Sequence, residues 1–384
     1  MPKKIAILGS TGSVGLNAVR VIEALGPEYE IAALSAHNNV EVLSQQILRF
    51  RPPHVALTNP AKLPQLKDLA KDYTRPILTG PDSLAHLAAL PEIDIVITAV
   101  VGAAGLHAAL AAAKTGKRLA IANKEPLVIA GPLLTATAKA SNAAILPIDS
   151  EHSAIFQALQ AGQPDEVSKI ILTASGGPFR NADPDQIRNA SIEKALQHPT
   201  WNMGPKITVD SATMMNKALE VIEAVWLFNT TVDKINVLVH PESIVHSMVE
   251  FVDGSVLAQL GTPDMCMPIQ YALTYPKRTK GISSHLRLDQ LGTLTFEKPN
   301  MDTFRALKLG FDVAAQAGSA PVVFNAANEA AVEEFLAGRV KFGRIVELIE
   351  HCLDKHSVRS SLSLEELLDL DAWARRQVKD MAGP

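Results

Sequence analysis

Three acids give this chain its clearest chemistry. Asp149 and Glu151 stand two positions apart directly after the apolar run 144–148, so on an extended backbone both carboxylates point the same way. Two like charges aimed at one point need a cation between them. With Glu220 the chain offers three hard oxygen ligands, which suit Mg²⁺ or Mn²⁺ and fit zinc poorly without a His or Cys set. Asp149-Ser150-Glu151 reads equally as a helix cap with an acid in the first turn, and both uses can hold.

A second cluster spans residues 198–225. His198-Pro-Thr-Trp201-Asn-Met203-Gly204-Pro205 is a loop by composition, with rare side chains between two prolines. A short strand at 206–209 is expected next, then Asp210 and Ser211 as candidate caps of a helix running to about Phe228. On that helix Met215, Ala218, Leu219, Ile222 and Val225 should face a core, while Thr213, Asn216, Lys217 and Glu220 share the other face. A hydroxyl, an amide and a cation beside a helix start can hold a phosphate. An ordinary solvated face with a weak Lys217–Glu220 pair is the plain alternative.

The N-terminus supplies a third site. Residues 4–8 form an apolar strand, and Gly9-Ser-Thr11-Gly12-Ser13-Val14-Gly15 turns from it into a helix. Glycines there let the backbone approach a diphosphate while the helix start offers amide donors. After the second strand, at 31–35, the chain reads Ala36-His37-Asn38-Asn39 and has no carboxylate before Glu41, which favours NADP over NAD.

The elements that must position these residues follow an alternating pattern. Strand-like runs recur at 55–58, 77–79, 93–100, 118–122 and 144–148 with helical or turn segments between them, the pattern of a doubly wound α/β sheet. Ligands of such sheets lie beyond the strands' carboxyl ends, which here carry Gly9 to Gly15, Ala36 to Asn39, Gly102 to Gly105, Asn123-Lys124-Glu125 and Asp149-Ser150-Glu151-His152. A strand at 169–174 ends in Ser175-Gly-Gly-Pro, and strands at 235–240, 244–251 and 255–260 make a second sheet with a hairpin at Asp253-Gly254. Only helices follow residue 302. They are expected at 302–317, 324–336, 342–356 and 364–381, with Ser363 and Glu366 as a capping box and Asn325 and Asn328 as caps by residue type. The division that results is 1–148 for the nucleotide, 149–274 for catalysis, a linker at 275–299 and a helical domain at 300–384.

Bulk properties narrow the classes. At 384 residues the chain exceeds one core, and its net charge of -4 with no basic block argues against nucleic acid or a membrane surface as partner. Cys266 and Cys352 match no ligand spacing, so a reducing cytoplasm is the simplest setting. The uncharged stretch 95–113 is long enough to span a bilayer, but Gly102 and Gly105 make it a strand, a turn and a helix.

Taken in order, GSTGSVG, Asn123-Lys-Glu125, Asp149-Ser-Glu151, Ser175-Gly-Gly-Pro-Phe, HPTWNMGPKITVDSATMMNK with Glu220, HPESIVHSMVEF and GTPDM closely resemble the 1-deoxy-D-xylulose 5-phosphate reductoisomerase family over essentially the whole length. That resemblance implies an NADPH- and metal-dependent homodimer that rearranges and reduces a sugar phosphate. Asp149, Glu151 and Glu220 would bind the metal, Mg²⁺ or Mn²⁺ with Co²⁺ also admissible. Ser175, Ser211, Asn216 and Lys217 would hold the substrate phosphate, and Lys124, Ser150 and His198 its hydroxyls, with Trp201 and Met203 on a lid. Cofactor contacts would fall on Thr11, Gly12, Ser13, Val14, Asn39, Asn123, Glu125 and Gly204, and the sheet at 240–260 would form the dimer interface. His37-Asn38 departs from the glycine and basic residue that members often carry. Two other classes stay in view: a semialdehyde dehydrogenase-like enzyme, which needs a cysteine nucleophile, and a nucleotide sensor without catalysis, which has no use for three converging acids.

Overall fold

The computed structural model describes residues 1–201 and 203–383, so Asn202 of the tryptophan loop lies outside the described residues. By its contacts the chain divides into two compact units. The first comprises Met1–Pro126, Pro132–Ser153 and Asp264–Ser284, and the second Leu127–Gly131, Ala154–Pro263 and His285–Pro384.

Among the described residues of the first unit, β1 (Lys3–Leu8), β2 (Tyr29–Ala36), β3 (His54–Leu57), β4 (Ile77–Thr79), β5 (Ile95–Thr98), β6 (Arg118–Ile121) and β7 (Ile145–Pro147) form one sheet. Its order is β4-β3-β2-β1-β5-β6-β7, with parallel pairing throughout. These are the seven strands expected from apolar runs, because a strand covered on both faces needs apolar residues at every position. Ile5, Ala6, Ile7 and Leu8 are wholly buried. The order reverses between β1 and β5, which puts the ligand-binding crevice of such a sheet at their carboxyl ends. Helix α1 (Ser13–Leu25) follows β1, and α2 (Val40–Phe50) follows β2. The uncharged stretch resolves into β5, a 3-10 turn at Gly102–Gly105 and a helix at Leu106–Lys114. No helix of the described residues is long and apolar enough to cross a membrane.

The second unit holds the other sheet, ordered β11-β10-β8-β9, from β8 (Val167–Ala174), β9 (Ile235–Val239), β10 (Val245–Phe251) and β11 (Val256–Leu260). The β10–β11 hairpin turns at Gly254, whose φ of +85° is the conformation the Asp-Gly pair favours. Helix Met215–Leu227 packs on β8, β9 and helix Arg305–Gln316. Gly310 permits that approach, since a Cβ there would lie 2.5 Å from the Ala218 Cβ. Helix Ala320–Leu336 packs against Arg344–Lys355 and Leu364–Ala382, and the Ser363–Glu366 capping box forms.

Three local expectations fail. Residues 206–209 are not a strand; they lie in the helix Pro205–Ala212, because Gly204 and Pro205 give a helix start that outweighs the β-branched run Ile207-Thr208-Val209. Asp210 and Ser211 therefore sit inside that helix and cap nothing. The next helix starts at Met215, after Met214 turns the chain with φ +62°, a conformation that strains a residue bearing a Cβ. Asn325 and Asn328 are not caps either. Both are wholly buried within Ala320–Leu336, where Asn325 donates to Glu329 Oε1 at 2.9 Å and Asn328 to Asp210 Oδ1 at 2.9 Å.

Candidate active site

In the first unit, Asp149 and Glu151 sit at the start of the helix Ser150–Ala158, so the extended geometry gives way to the capping one. Asp149 Oδ1 accepts from the Glu151 amide at 3.2 Å. Its other oxygen meets the Lys124 ammonium, and the Ser150 hydroxyl donates to Glu151. Lys124 precedes the helix Glu125–Ser141, where a buried cation opposes the helix dipole. Asp149 supplies the compensating charge. The sequence places His152 at this strand end without giving it a role; it is wholly buried with Nδ1 3.5 Å from Asp149 Oδ1. The signal for that contact was the three-residue helical spacing from Asp149.

In the second unit, Asn216 and Lys217 occupy the first turn of Met215–Leu227, and both reach Glu220 on the next turn. The Asn216 amide donates to Oε1 at 2.6 Å and the Lys217 ammonium to Oε2. Lys217 and Glu220 are buried, which rules out the solvated-face alternative. Burying such a pair costs several kcal/mol of desolvation per ion in rough terms, so a structural role alone explains it poorly.

The loop after β8 meets the same region. Gly177, with φ +68°, packs so tightly on helix Pro205–Ala212 that a Cβ would lie 2.5 Å from the Ser211 carbonyl oxygen. Ser175 and His198 pair at 2.9 Å. His198 Nδ1 accepts from the Thr200 and Trp201 amides at 3.1 and 2.9 Å, so Nε2 carries the proton and donates to Ser175 Oγ. That oxygen also accepts from the Gly177 amide at 3.2 Å, which leaves the Ser175 hydroxyl hydrogen to donate elsewhere. Trp201 tilts over His246 with ring centroids 6.4 Å apart, and Met203 is half-buried. Gly204 caps Pro205–Ala212, with nothing within 4 Å of where a side chain would start.

Asp149, Glu151 and Glu220 each offer a carboxylate oxygen, and these oxygens lie within 4.8 Å of one another. Octahedral magnesium spaces its ligand oxygens roughly 3 to 4 Å apart, so the donor set and its spread fit a small hard cation. The glycine turn fits a dinucleotide. A Cβ on Gly9 would meet the Ala99 carbonyl oxygen at 2.5 Å, and one on Gly15 would meet the Gly9 oxygen at 2.2 Å. Helix α1 then starts at Ser13 behind Gly12, which offers no side-chain cap, leaving amide donors beside Thr11, Ser13 and Val14. Asn123 is buried with neither amide atom partnered, and Gly105 makes room for it, since a Cβ there would stand 2.6 Å from Asn123 Nδ2. An orphaned buried amide needs a ligand to bond it. Glu125, two positions on, is buried as well, while Asn39 caps α2 by accepting from the Val42 amide at 3.1 Å and keeps its amide protons. Neither cysteine is a nucleophile in waiting. Burial, with Asp264 beside it, pushes the Cys266 thiol up to about 11, and burial does the same to Cys352.

Family models match three stretches of the chain. Residues 5–131 match 1-deoxy-D-xylulose 5-phosphate reductoisomerase, 145–228 its C-terminal domain, and 260–377 the DXP reductoisomerase C-terminal domain. A 1-deoxy-D-xylulose 5-phosphate reductoisomerase of Halothermothrix orenii is 45% identical over 383 residues, 100% of each chain. This chain belongs to the 1-deoxy-D-xylulose 5-phosphate reductoisomerase family. A reductoisomerase of Chloroherpeton thalassium is 48% identical over 99% of this chain and 98% of its own. Among solved structures, a DOX-P reductoisomerase in complex with NADPH, fosmidomycin and magnesium superposes with a TM-score of 0.94 at 42% identity, covering 99% of this chain and 98% of that one. The Zymomonas mobilis reductoisomerase in complex with NADPH gives 0.93 at 39%, covering 100% and 99%.

Proposed function

We propose that this chain converts 1-deoxy-D-xylulose 5-phosphate to 2-C-methyl-D-erythritol 4-phosphate in isoprenoid biosynthesis, using NADPH and a divalent metal ion, magnesium or manganese. The observation that carries the reading is the gathering of Asp149, Glu151 and Glu220. When bound, the metal polarises the substrate carbonyl and stabilises oxygen charge, and NADPH supplies the reducing hydride.

The chain's own residues do the rest. Ser175, Ser211, Asn216 and Lys217 hold the phosphate; the hydroxyl hydrogen that His198 and Gly177 leave available on Ser175 is a ready donor for it. Phosphate binding away from the reacting carbons anchors the sugar, and that binding energy can close the loop bearing Trp201 and Met203 and exclude water. Lys124, Ser150 and His198 orient the hydroxyls, with Lys124 stabilising negative charge that develops on oxygen. Thr11, Gly12, Ser13, Val14, Asn39, Asn123, Glu125 and Gly204 receive the cofactor. In the test, purified chain with NADPH, the deoxyxylulose phosphate and Mg²⁺ consumes one NADPH per methylerythritol phosphate formed, a chelator stops it, and Mn²⁺ restores it. An inert complete mixture overturns the proposal.

The protein acts as a cytoplasmic homodimer in this reading. Edge strand β11 leaves Val256 49% and Leu257 37% exposed, an apolar edge that a second copy would cover. Light scattering should give the mass of two chains, and Leu257→Asp should shift the population toward one. A parent protein that is monomeric at micromolar concentration rules the dimer out.

A further inference from the structure

We propose that Gln46 is a positioning residue for the cofactor's diphosphate, acting through Ser10 to fix the main-chain donors of the glycine turn. Gln46 lies on the inward face of α2 beside Val40, Leu43 and Ile47, a place where an apolar side chain would serve packing at lower cost. It is only 6% exposed. Its amide clasps one residue twice: Oε1 accepts from the Ser10 hydroxyl at 2.6 Å, and Nε2 donates to the Ser10 carbonyl at 2.9 Å.

Ser10 is wholly buried and is also held from β2. Its amide donates to the Ser35 carbonyl at 2.8 Å, and the neighbouring Gly9 amide donates to Ser35 Oγ at 3.0 Å. The amide, hydroxyl and carbonyl of Ser10 thus all face inward, and none is left for a ligand. What they fix is the direction in which the chain leaves Ser10. At the uncapped start of α1 that follows, the Gly12 amide is spent on the Gly9 carbonyl at 3.2 Å, and the donors left for a ligand are those of Thr11, Ser13 and Val14. Main-chain donors cannot be re-aimed by a rotamer change, so their directions are set by whatever holds the residue before them. Gln46 and Ser35 hold it from two separate elements.

This inference rests on the glycine turn being the diphosphate site, and the experiment separates the two. NADPH affinity of the full chain is measured by fluorescence titration without substrate, alongside the melting temperature. Gly12→Val fills space in which the nearest atom to a Cβ is the Gly9 oxygen at 3.6 Å, and should abolish NADPH binding. If it binds NADPH like the parent, the site reading and this inference both fall. Gln46→Met keeps the volume but removes both bonds, and should raise the NADPH Kd about tenfold, with KM for NADPH rising and KM for the deoxyxylulose phosphate unmoved. A merely structural Gln46 would lower the melting temperature and leave the Kd alone, which overturns the inference while the site reading stands. Should Gln46→Met fail to fold, Ser10→Ala removes the hydroxyl half of the clasp, leaves the bond to the Ser10 carbonyl in place, and should raise the Kd by a smaller factor. An unaltered Kd there overturns the proposal equally.

Discussion

Glu220→Gln is expected to lower kcat about a thousandfold, equivalent to roughly 4 kcal/mol of lost charge stabilisation. An amide of the same size keeps the shape and can still bond Asn216 and accept from Lys217, but it removes the negative charge that makes the three oxygens a cation site. NADPH affinity should stay within about twofold of the parent, because the residue serves the metal and the glycine turn is formed by other elements. Steady-state rates across a magnesium titration, with NADPH binding measured separately, check both halves. A Kd for NADPH that collapses together with kcat would falsify the division of labour.

Lys217→Met should act on the substrate instead. Losing a charge-assisted bond to phosphate costs about 1.5 to 3 kcal/mol, so KM for the sugar phosphate should rise roughly ten- to a hundredfold. The same change strips Glu220 of a buried ammonium partner, and breaking a buried pair from one side destabilises by about 3 to 5 kcal/mol. The melting temperature should therefore fall as well. The magnesium concentration for half-maximal rate should fall or stay level, since an ammonium that competes for Glu220 is gone. A raised magnesium requirement with an unchanged sugar-phosphate KM would contradict the assignment.

Where the sequence was readable, one force dominated. Buried parallel strands must be apolar at successive positions, so all seven were visible as runs, and Asp253-Gly254 marked its hairpin because few residues tolerate that turn. The stretch 206–209 misled because Lys-Ile-Thr-Val offers β-branched residues over four positions, while the deciding signal was the Gly204-Pro205 start just before it. Asn325 and Asn328 misled for another reason. A residue type common at caps says nothing of a partner such as Asp210, more than a hundred positions away. For the acids, spacing singled out residues of one carboxylate cluster but on an extended backbone that the chain does not adopt, since Asp149 caps its helix as well. Gln46 was unreadable, because a glutamine in an amphipathic helix announces nothing until its partner is known.

The ammonium groups already seated on the acids bear on how the enzyme is switched on. Asp149 leans on Lys124 and Glu220 on Lys217, so repulsion among the carboxylates is held in check by lysines. Asp149, Glu151 and Glu220 would then take up a cation by exchange of counter-ions in a finished scaffold, unlike small zinc domains whose chains collapse around their ion. On the proposed reading, a lysine that gave up its carboxylate to the ion would be left to pair with the substrate's phosphate or hydroxyls, which would couple loading of the metal to readiness for the sugar.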